Sequence, residues 1–175
     1  MDEIRQLIKI RAIAVTILFF CIPLFYSCVK DDDRVTFSTQ EASIDKYIQS
    51  LVESQNFRYE VYDGVWRVVM EEGEGNIVVA QGSQIKIDYA IFKFESGQGE
   101  QYTNIESLGD GDDWLIVGNG NILKGLDIGL VGAKLNERCY IIFSARHGFG
   151  NTQVGIIPKM TPLLVEVWIK EIKDN

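Results

Sequence analysis

The chain has 175 residues, of which 46% are apolar, enough for one domain with a real core plus a leader or tail. Its 17 basic against 25 acidic side chains give a formal net charge of −8 at pH 7 and leave no basic block to replace phosphate counterions, which excludes nucleic acid as a partner. One histidine and three cysteines, with no Cys-x-x-Cys or His-x-x-x-His spacing, leave little for a zinc centre or a Ser-His-Asp triad, so no metal and no cofactor are expected.

Residues 1–11 carry Arg5, Lys9 and Arg11, and Ala12 to Tyr26 is almost wholly apolar. A charged start, an apolar run of about 15 residues and a small residue at its end read as a secretory signal, since a spanning helix needs about 18 or more. An uncleaved membrane anchor is the alternative. Leu24-x-x-Ser27-Cys28 resembles a bacterial lipobox, in which cleavage leaves Cys28 to be acylated, so 1–27 is expected to be a lipoprotein signal peptide. Val29-Lys30-Asp31-Asp32-Asp33 resembles the surface-export signal of Bacteroidetes lipoproteins, and 28–37 reads as a disordered tether. These resemblances imply an exported protein held by lipid in the bacterial envelope, at the outer membrane, with the cell surface a further option. Cys139 is then the body's own cysteine, and its strand-like surroundings predict a buried, inert thiol.

The spacing of Ile44, Tyr47, Ile48, Leu51 and Val52 predicts an amphipathic helix over 38–57, with Ser38-x-x-Glu41 as its capping box. Its apolar face either covers the following domain, which is the expectation, or meets a protein partner. The remaining 58–175 reads as one domain. A strand is predicted from Val61 to Met70, ending in a turn at Glu72 to Gly75. The longest strand runs from Gln84 to Glu95; its apolar alternation of Ile85, Ile87, Tyr89 and Ile91 then swaps to Phe92 and Phe94, which predicts a bulge or a strand covered on both sides. Gly109-Asp110-Gly111-Asp112-Asp113 lacks the ligand spacing of an EF-hand and reads as a solvated loop.

Trp114 to Val117 predicts a strand leading into the most telling stretch. Gly118 and Gly120 mark a turn, Leu123, Leu126, Asp127 and Leu130 recur at helical spacing, and Gly132 stands at a C-cap position. Strands are predicted from Arg138 to Ala145 and from Leu163 to Ile172, joined by a long glycine-spaced loop.

Val117-Gly118-x-Gly120-x-Ile122-Leu123-x-Gly125-Leu126-x-x-Gly129-Leu130, then Phe149-Gly150, Gly155-Ile156-Ile157-Pro158 and Val165-Glu166-Val167, resemble an FKBP-type peptidyl-prolyl cis-trans isomerase domain, in order, over about Gly73 to Ile172. The resemblance implies an α+β fold: a bent antiparallel β-sheet, a half-barrel, wrapped on one short α-helix, here with an extra N-terminal helix. It implies an isomerase, a folding helper acting on proline-containing protein segments. The alternative is a non-catalytic binding module held at the membrane by lipid.

Rotation about an X-Pro amide has a barrier of about 18–20 kcal/mol and moves no proton or electron, which suits a chain so poor in His and Cys. An apolar cup with one fixed hydrogen-bond donor serves that reaction. By the resemblance, Tyr89 and Tyr102 match aromatic walls, Leu115 a residue beneath the pocket, and Ile122 and Leu123 its rim, with the Leu123 N–H as donor to a substrate carbonyl. Leu126 matches the floor, Val165 a wall, Phe149 a position whose usual Tyr hydroxyl bonds a ligand, and Ile156 and Ile157 the closing loop. Tyr89, Leu123, Phe149 and Ile157 are the candidate catalytic residues among these. Thr103 stands where the family has Asp, Lys159 where a second Pro is common, and Leu126 and Val165 replace a frequent Trp and Phe. Read without the resemblance, Tyr89, Leu115, Ile122, Leu126 and Val165 serve equally well as plain core residues, whereas Phe149, Ile156 and Ile157 lack an evident core role.

Overall fold

The structure, a computed structural model, describes residues 32–173. The expected signal peptide, the expected lipidation site Cys28 and residues 28–31 of the expected tether lie outside the described residues. The chain divides into two units between Ser38 and Thr39. A first helix, α1, covers residues 32–55. Residues 32–37 are therefore helical rather than a disordered tether. No Gly or Pro interrupts residues 32–55, and carboxylates such as Asp32 and Asp33 in the N-terminal part of a helix complement its dipole. Ser38 consequently lies inside the helix and not at a cap: its hydroxyl donates to the Val35 carbonyl at 3.0 Å, as Thr36 does to Asp32 at 3.0 Å. Asn56, at φ +56°, ends α1 in the left-handed conformation common at helix C-termini.

The strand expected from Val61 to Met70 is two strands, β1 (Arg58–Tyr62) and β2 (Val65–Glu71), paired antiparallel. The hairpin turns at Asp63 and Gly64, with φ of +48° and +73°; positive φ at both central positions matches the right-handed twist of the flanking strands. Next come β3 (Glu74–Val78), which takes the last two residues of the expected turn and leaves Glu72 and Gly73 as the break after β2, and the long β4 (Gln84–Phe94). Short strands β5 (Gln98–Gln101), β6 (Glu106–Leu108) and β7 (Leu115–Ile116) all pair with β4. Helix α2 (Lys124–Gly129) follows, then β8 (Lys134–Leu135), β9 (Arg138–Phe143) and β10 (Leu163–Ile172). Among the described residues the main sheet has eight strands in the order β1-β2-β9-β10-β4-β5, with β6 and β7 also on β4; β3 and β8 form a separate pair. Every pairing is antiparallel, and the sheet curls into a half-barrel, so the fold is α+β as expected.

Two apolar clusters lie on opposite faces of this sheet. The inner one is closed by α2 and includes Ile85, Ile87, Leu130, Ile141, Phe143, Leu163 and Val167. The outer one joins Trp66, Val68, Phe94, Ile142 and Leu164 to Ile44 and Ile48 of α1, both fully buried. The face swap in β4 follows from this: Ile85 to Ile91 serve the inner cluster, Phe92 and Phe94 the outer, and the strand is covered on both sides. The apolar face of α1 is thus occupied by the domain's own sheet.

α2 approaches β9 closely because two of its residues have no side chain. A Cβ on Gly125 would lie 2.4 Å from the Phe143 ring, and one on Gly129 would lie 2.3 Å from Ile141 Cγ2. Beside this contact Arg67 (2% exposed) is held by the buried Glu137 and by Glu60 at 2.6 Å, so both charges leave water paired. Cys139 is fully buried and free, and burial pushes its thiol far up from the ordinary value, which leaves it unreactive.

Candidate functional site

Six parts of the chain supply the candidate residues: Tyr89 comes from β4, Tyr102 from just after β5, Leu115 from β7, Ile122 to Leu126 from the start of α2, and Val165 from β10. Phe149, Ile156 and Ile157 come from the connection between β9 and β10, which opens with a 3₁₀ turn over Ala145–His147. All of them except Ile156 belong to the inner apolar cluster or pack on it. Ile156 is 69% exposed and stands apart.

Exposure separates two groups. Leu115 (8%), Leu126 (4%), Ile157 (7%) and Val165 (1%) are buried and form the base of the cluster. Tyr89, Tyr102, Ile122, Leu123 and Phe149 are half-buried and leave surface that a ligand can reach. Ile157 therefore has a core role that its glycine-rich surroundings did not suggest. A two-way backbone pairing with Val154, at 3.0 and 2.9 Å, turns its side chain inward.

Polar groups fix this apolar ring. The Tyr89 hydroxyl donates to Glu106 Oε2 at 2.8 Å; burial first, and then this carboxylate, push its pKa up to about 12. Tyr89 thus stays protonated at physiological pH. Tyr102 is held by its N–H on the Ile91 carbonyl at 2.8 Å, and next to it the Thr103 hydroxyl accepts the Ile91 N–H at 3.0 Å. Where the family has Asp, Thr103 ties the wall to β4.

Asp127 organises the turn before α2. Its two carboxylate oxygens accept the N–H of Gly118 (2.8 Å) and of Gly120 (3.2 Å), which sets the path of the chain into Ile122 and Leu123. Leu123 is the N-cap of α2, and a helix leaves its first N–H groups without intrahelical acceptors. Its amide is therefore a fixed donor at the edge of an apolar surface. Neither Glu106 nor Asp127 is among the site residues that the sequence suggests. Asp127 carried a usable signal, a carboxylate in the first turn after a Gly-x-Gly turn, whereas nothing local marks Glu106.

Beyond Phe149, the Gly150 N–H bonds the Ala145 carbonyl at 2.9 Å and the Met160 N–H bonds the Gly150 carbonyl at 2.7 Å, so the long connection folds back on itself. His147 is fully buried beneath it, its Nε2 3.9 Å from Asp63 Oδ2. Burial, with help from Lys124, holds its imidazole below the ordinary pKa; Asp63 opposes this and Arg146 adds to it. A neutral ring is the consequence. The whole arrangement is an apolar surface with reachable aromatic and aliphatic sides, a donor at its rim and no charged side chain among the candidate residues.

Comparison with known proteins agrees with this geometry. The family model described as FKBP-type peptidyl-prolyl cis-trans isomerase matches residues 75–170. FK506-binding protein 1 of Aspergillus oryzae is 28% identical over 115 residues, covering 62% of this chain and 98% of the relative. FK506-binding protein 1A of Neurospora crassa is 30% identical over 112 residues, 63% of this chain and 90% of the relative. Among solved structures, the peptidyl-prolyl cis-trans isomerase of Pseudomonas syringae pv. tomato aligns over 81% of this chain and 96% of its own, with a TM-score of 0.55 at 13% identity. FkpA of Escherichia coli aligns over 82% of this chain and 64% of its own, with a TM-score of 0.57 at 15% identity. From ordered motifs, a half-barrel closed by α2 and a family match over most of that half-barrel, the chain belongs to the FKBP-type peptidyl-prolyl cis-trans isomerase family.

Proposed function

We propose that this protein is a peptidyl-prolyl cis-trans isomerase that acts on proline-containing segments of other proteins, exported and held in the bacterial envelope by lipid on Cys28. The observation that carries the catalytic half is the convergence of Tyr89, Tyr102, Ile122, Leu123 and Phe149 as reachable sides over a shared apolar base. A proline ring entering that surface leaves water, where the planar, more dipolar amide loses more solvation than the twisted one. The Leu123 N–H is placed to hold the carbonyl of the twisted form. An acceleration of a millionfold needs about 8 kcal/mol off the barrier. The envelope half rests on the leader and Leu24-x-x-Ser27-Cys28, and the outer-membrane placement on the acidic run behind it.

One observation favours a second reading, a non-catalytic binding module. Leu126 and Val165 stand where Trp and Phe are frequent, and with Leu115 and Ile157 they fill the base from within. Isomerisation of an X-Pro peptide by the full-length chain in detergent decides between the two, beside Leu123→Asp. That variant places a charge at the rim yet supplies a preferred N-cap residue, so the fold is retained. Acceleration lost in the variant supports the enzyme. A folded parent with no acceleration that still binds the peptide supports the module.

A further inference from the structure

We propose that Gln40, on α1, is a positioning residue for this site: its side-chain amide fastens both ends of the connection that displays Phe149 and Ile157. Gln40 Oε1 accepts the Ala145 N–H at 2.9 Å, and Gln40 Nε2 donates to the Met160 carbonyl at 2.7 Å, across 105 and 120 residues of sequence. Within the connection, Ala145 carbonyl, Gly150 and Met160 N–H are already linked at 2.9 and 2.7 Å. The four residues therefore close one circuit of hydrogen bonds, Gln40 to Ala145 to Gly150 to Met160 and back.

The chemistry of the position requires this residue. A primary amide is the side chain that accepts at one end and donates at the other. Glutamate keeps the bond to Ala145 but sets a carboxylate against the Met160 carbonyl, and methionine keeps the length and loses both bonds. Met160 also needs outside support, since it is a non-glycine residue at φ +58°. Glycines at 148, 150 and 155 give the connection little stiffness of its own. Beside Gln40, Glu41 accepts the Ser144 hydroxyl at 3.0 Å and lies 3.8 Å from Arg146, so the same helical turn grips three successive residues.

Gln40 does not dock the helix. Ile44 and Ile48 do that from the outer cluster, so a substitution at Gln40 releases the connection while α1 stays in place. The role rests on the isomerase reading of the site: a released connection populates conformations in which Phe149 and Ile157 are misplaced, and apparent affinity for substrate falls with the competent fraction. The chemical step in the bound state is untouched, because the donor and the walls on β4 and α2 are unchanged.

The test uses the full-length chain in detergent with Gln40→Met and Gln40→Glu. Hydrogen exchange followed by mass spectrometry is expected to accelerate about tenfold over 144–160 in Gln40→Met, with 138–143 and 163–172 unchanged, and less in Gln40→Glu. For an X-Pro peptide, KM is expected to rise about tenfold with kcat within about twofold. Unchanged exchange over 144–160 overturns the proposal. So does acceleration spread equally over the strands, which signals global destabilisation, and so does an active parent whose KM the substitutions leave alone. A parent that neither turns over nor binds peptide removes the isomerase reading itself, and the positioning role falls with it.

Discussion

Gly129→Ala is a sensitive probe of how α2 is held. Helix propensity alone favours alanine by about 1 kcal/mol at such a position. Packing opposes it: the new Cβ would sit 2.3 Å from Ile141 Cγ2 and 3.1 Å from its Cδ1 and Cγ1, where ordinary contact begins near 3.4 Å. Ile141 cannot give way, being fully buried on β9 between β2 and β10. Overpacking costs about 1–3 kcal/mol, and a gap short by more than 1 Å belongs at the upper end, so a net loss of about 2 kcal/mol is expected. In urea, with a slope of about 2 kcal/mol per molar, the midpoint falls by about 1 M. Combining the change with Ile141→Ala removes the clash, and the double variant is expected to be more stable than the sum of the single losses by at least about 1 kcal/mol. A midpoint that stays or rises in Gly129→Ala, or strict additivity in the cycle, refutes the claim that missing side chains set the helix against the sheet.

The outer cluster is tested by Ile48→Ala, which empties a fully buried site and is expected to cost about 2–5 kcal/mol by urea denaturation; a loss under about 0.5 kcal/mol means α1 contributes nothing to the domain. The buried imidazole of His147 has a lowered pKa, so its contribution to stability is complete above about pH 6.5 and is lost as pH falls below that value, when the unfolded chain takes up a proton the fold resists. Urea midpoints between pH 7.5 and 5 should decline in the parent and less steeply in His147→Gln; parallel profiles contradict the assignment. Phe149→Tyr supplies a hydroxyl at the site and is expected to tighten peptide binding by about 1 kcal/mol, roughly fivefold in KM, if Phe149 faces the ligand. Cys28→Ala is expected to move the protein from the detergent to the aqueous phase on phase separation, and an unchanged partition rules out lipid on that residue.

What the sequence discloses here depends on how local the cause is. β10 was legible to its end residues, Leu163 and Ile172, because the apolar run from Leu163 to Ile169, broken only by Glu166, marks a strand buried on both faces. α2 was legible from glycine punctuation and the spacing of Leu123, Leu126 and Leu130. The β1–β2 hairpin was not, although Asp63-Gly64 is a turn dipeptide, because apolar pairs, Val61-Tyr62 and Val65-Trp66, flank it closely on both sides. Ser38 and Glu41 have the spacing of a capping box, but Glu41 reaches Ser144, a partner 103 residues away that no local pattern announces. The same holds at the site. Its apolar candidates follow from ordered motifs, while Glu106 and Gln40 act through partners that only the topology brings near.

The strand order has a consequence for when this protein can fold. Among the described elements β10 comes last in chain order, yet it lies in the middle of the sheet, between β9 and β4. Until it emerges, β4 lacks its longest partner, and β9, β2 and β1 form a separate piece joined to β4 only through connecting chain. Pairings as distant in sequence as Ile85 with Ile172 incur loop-closure entropy before any contact rewards it, which places folding on the millisecond-to-second scale. The domain is therefore committed only after β10 is available, and removing Leu163–Ile172 would take away the strand that joins β4 to β9.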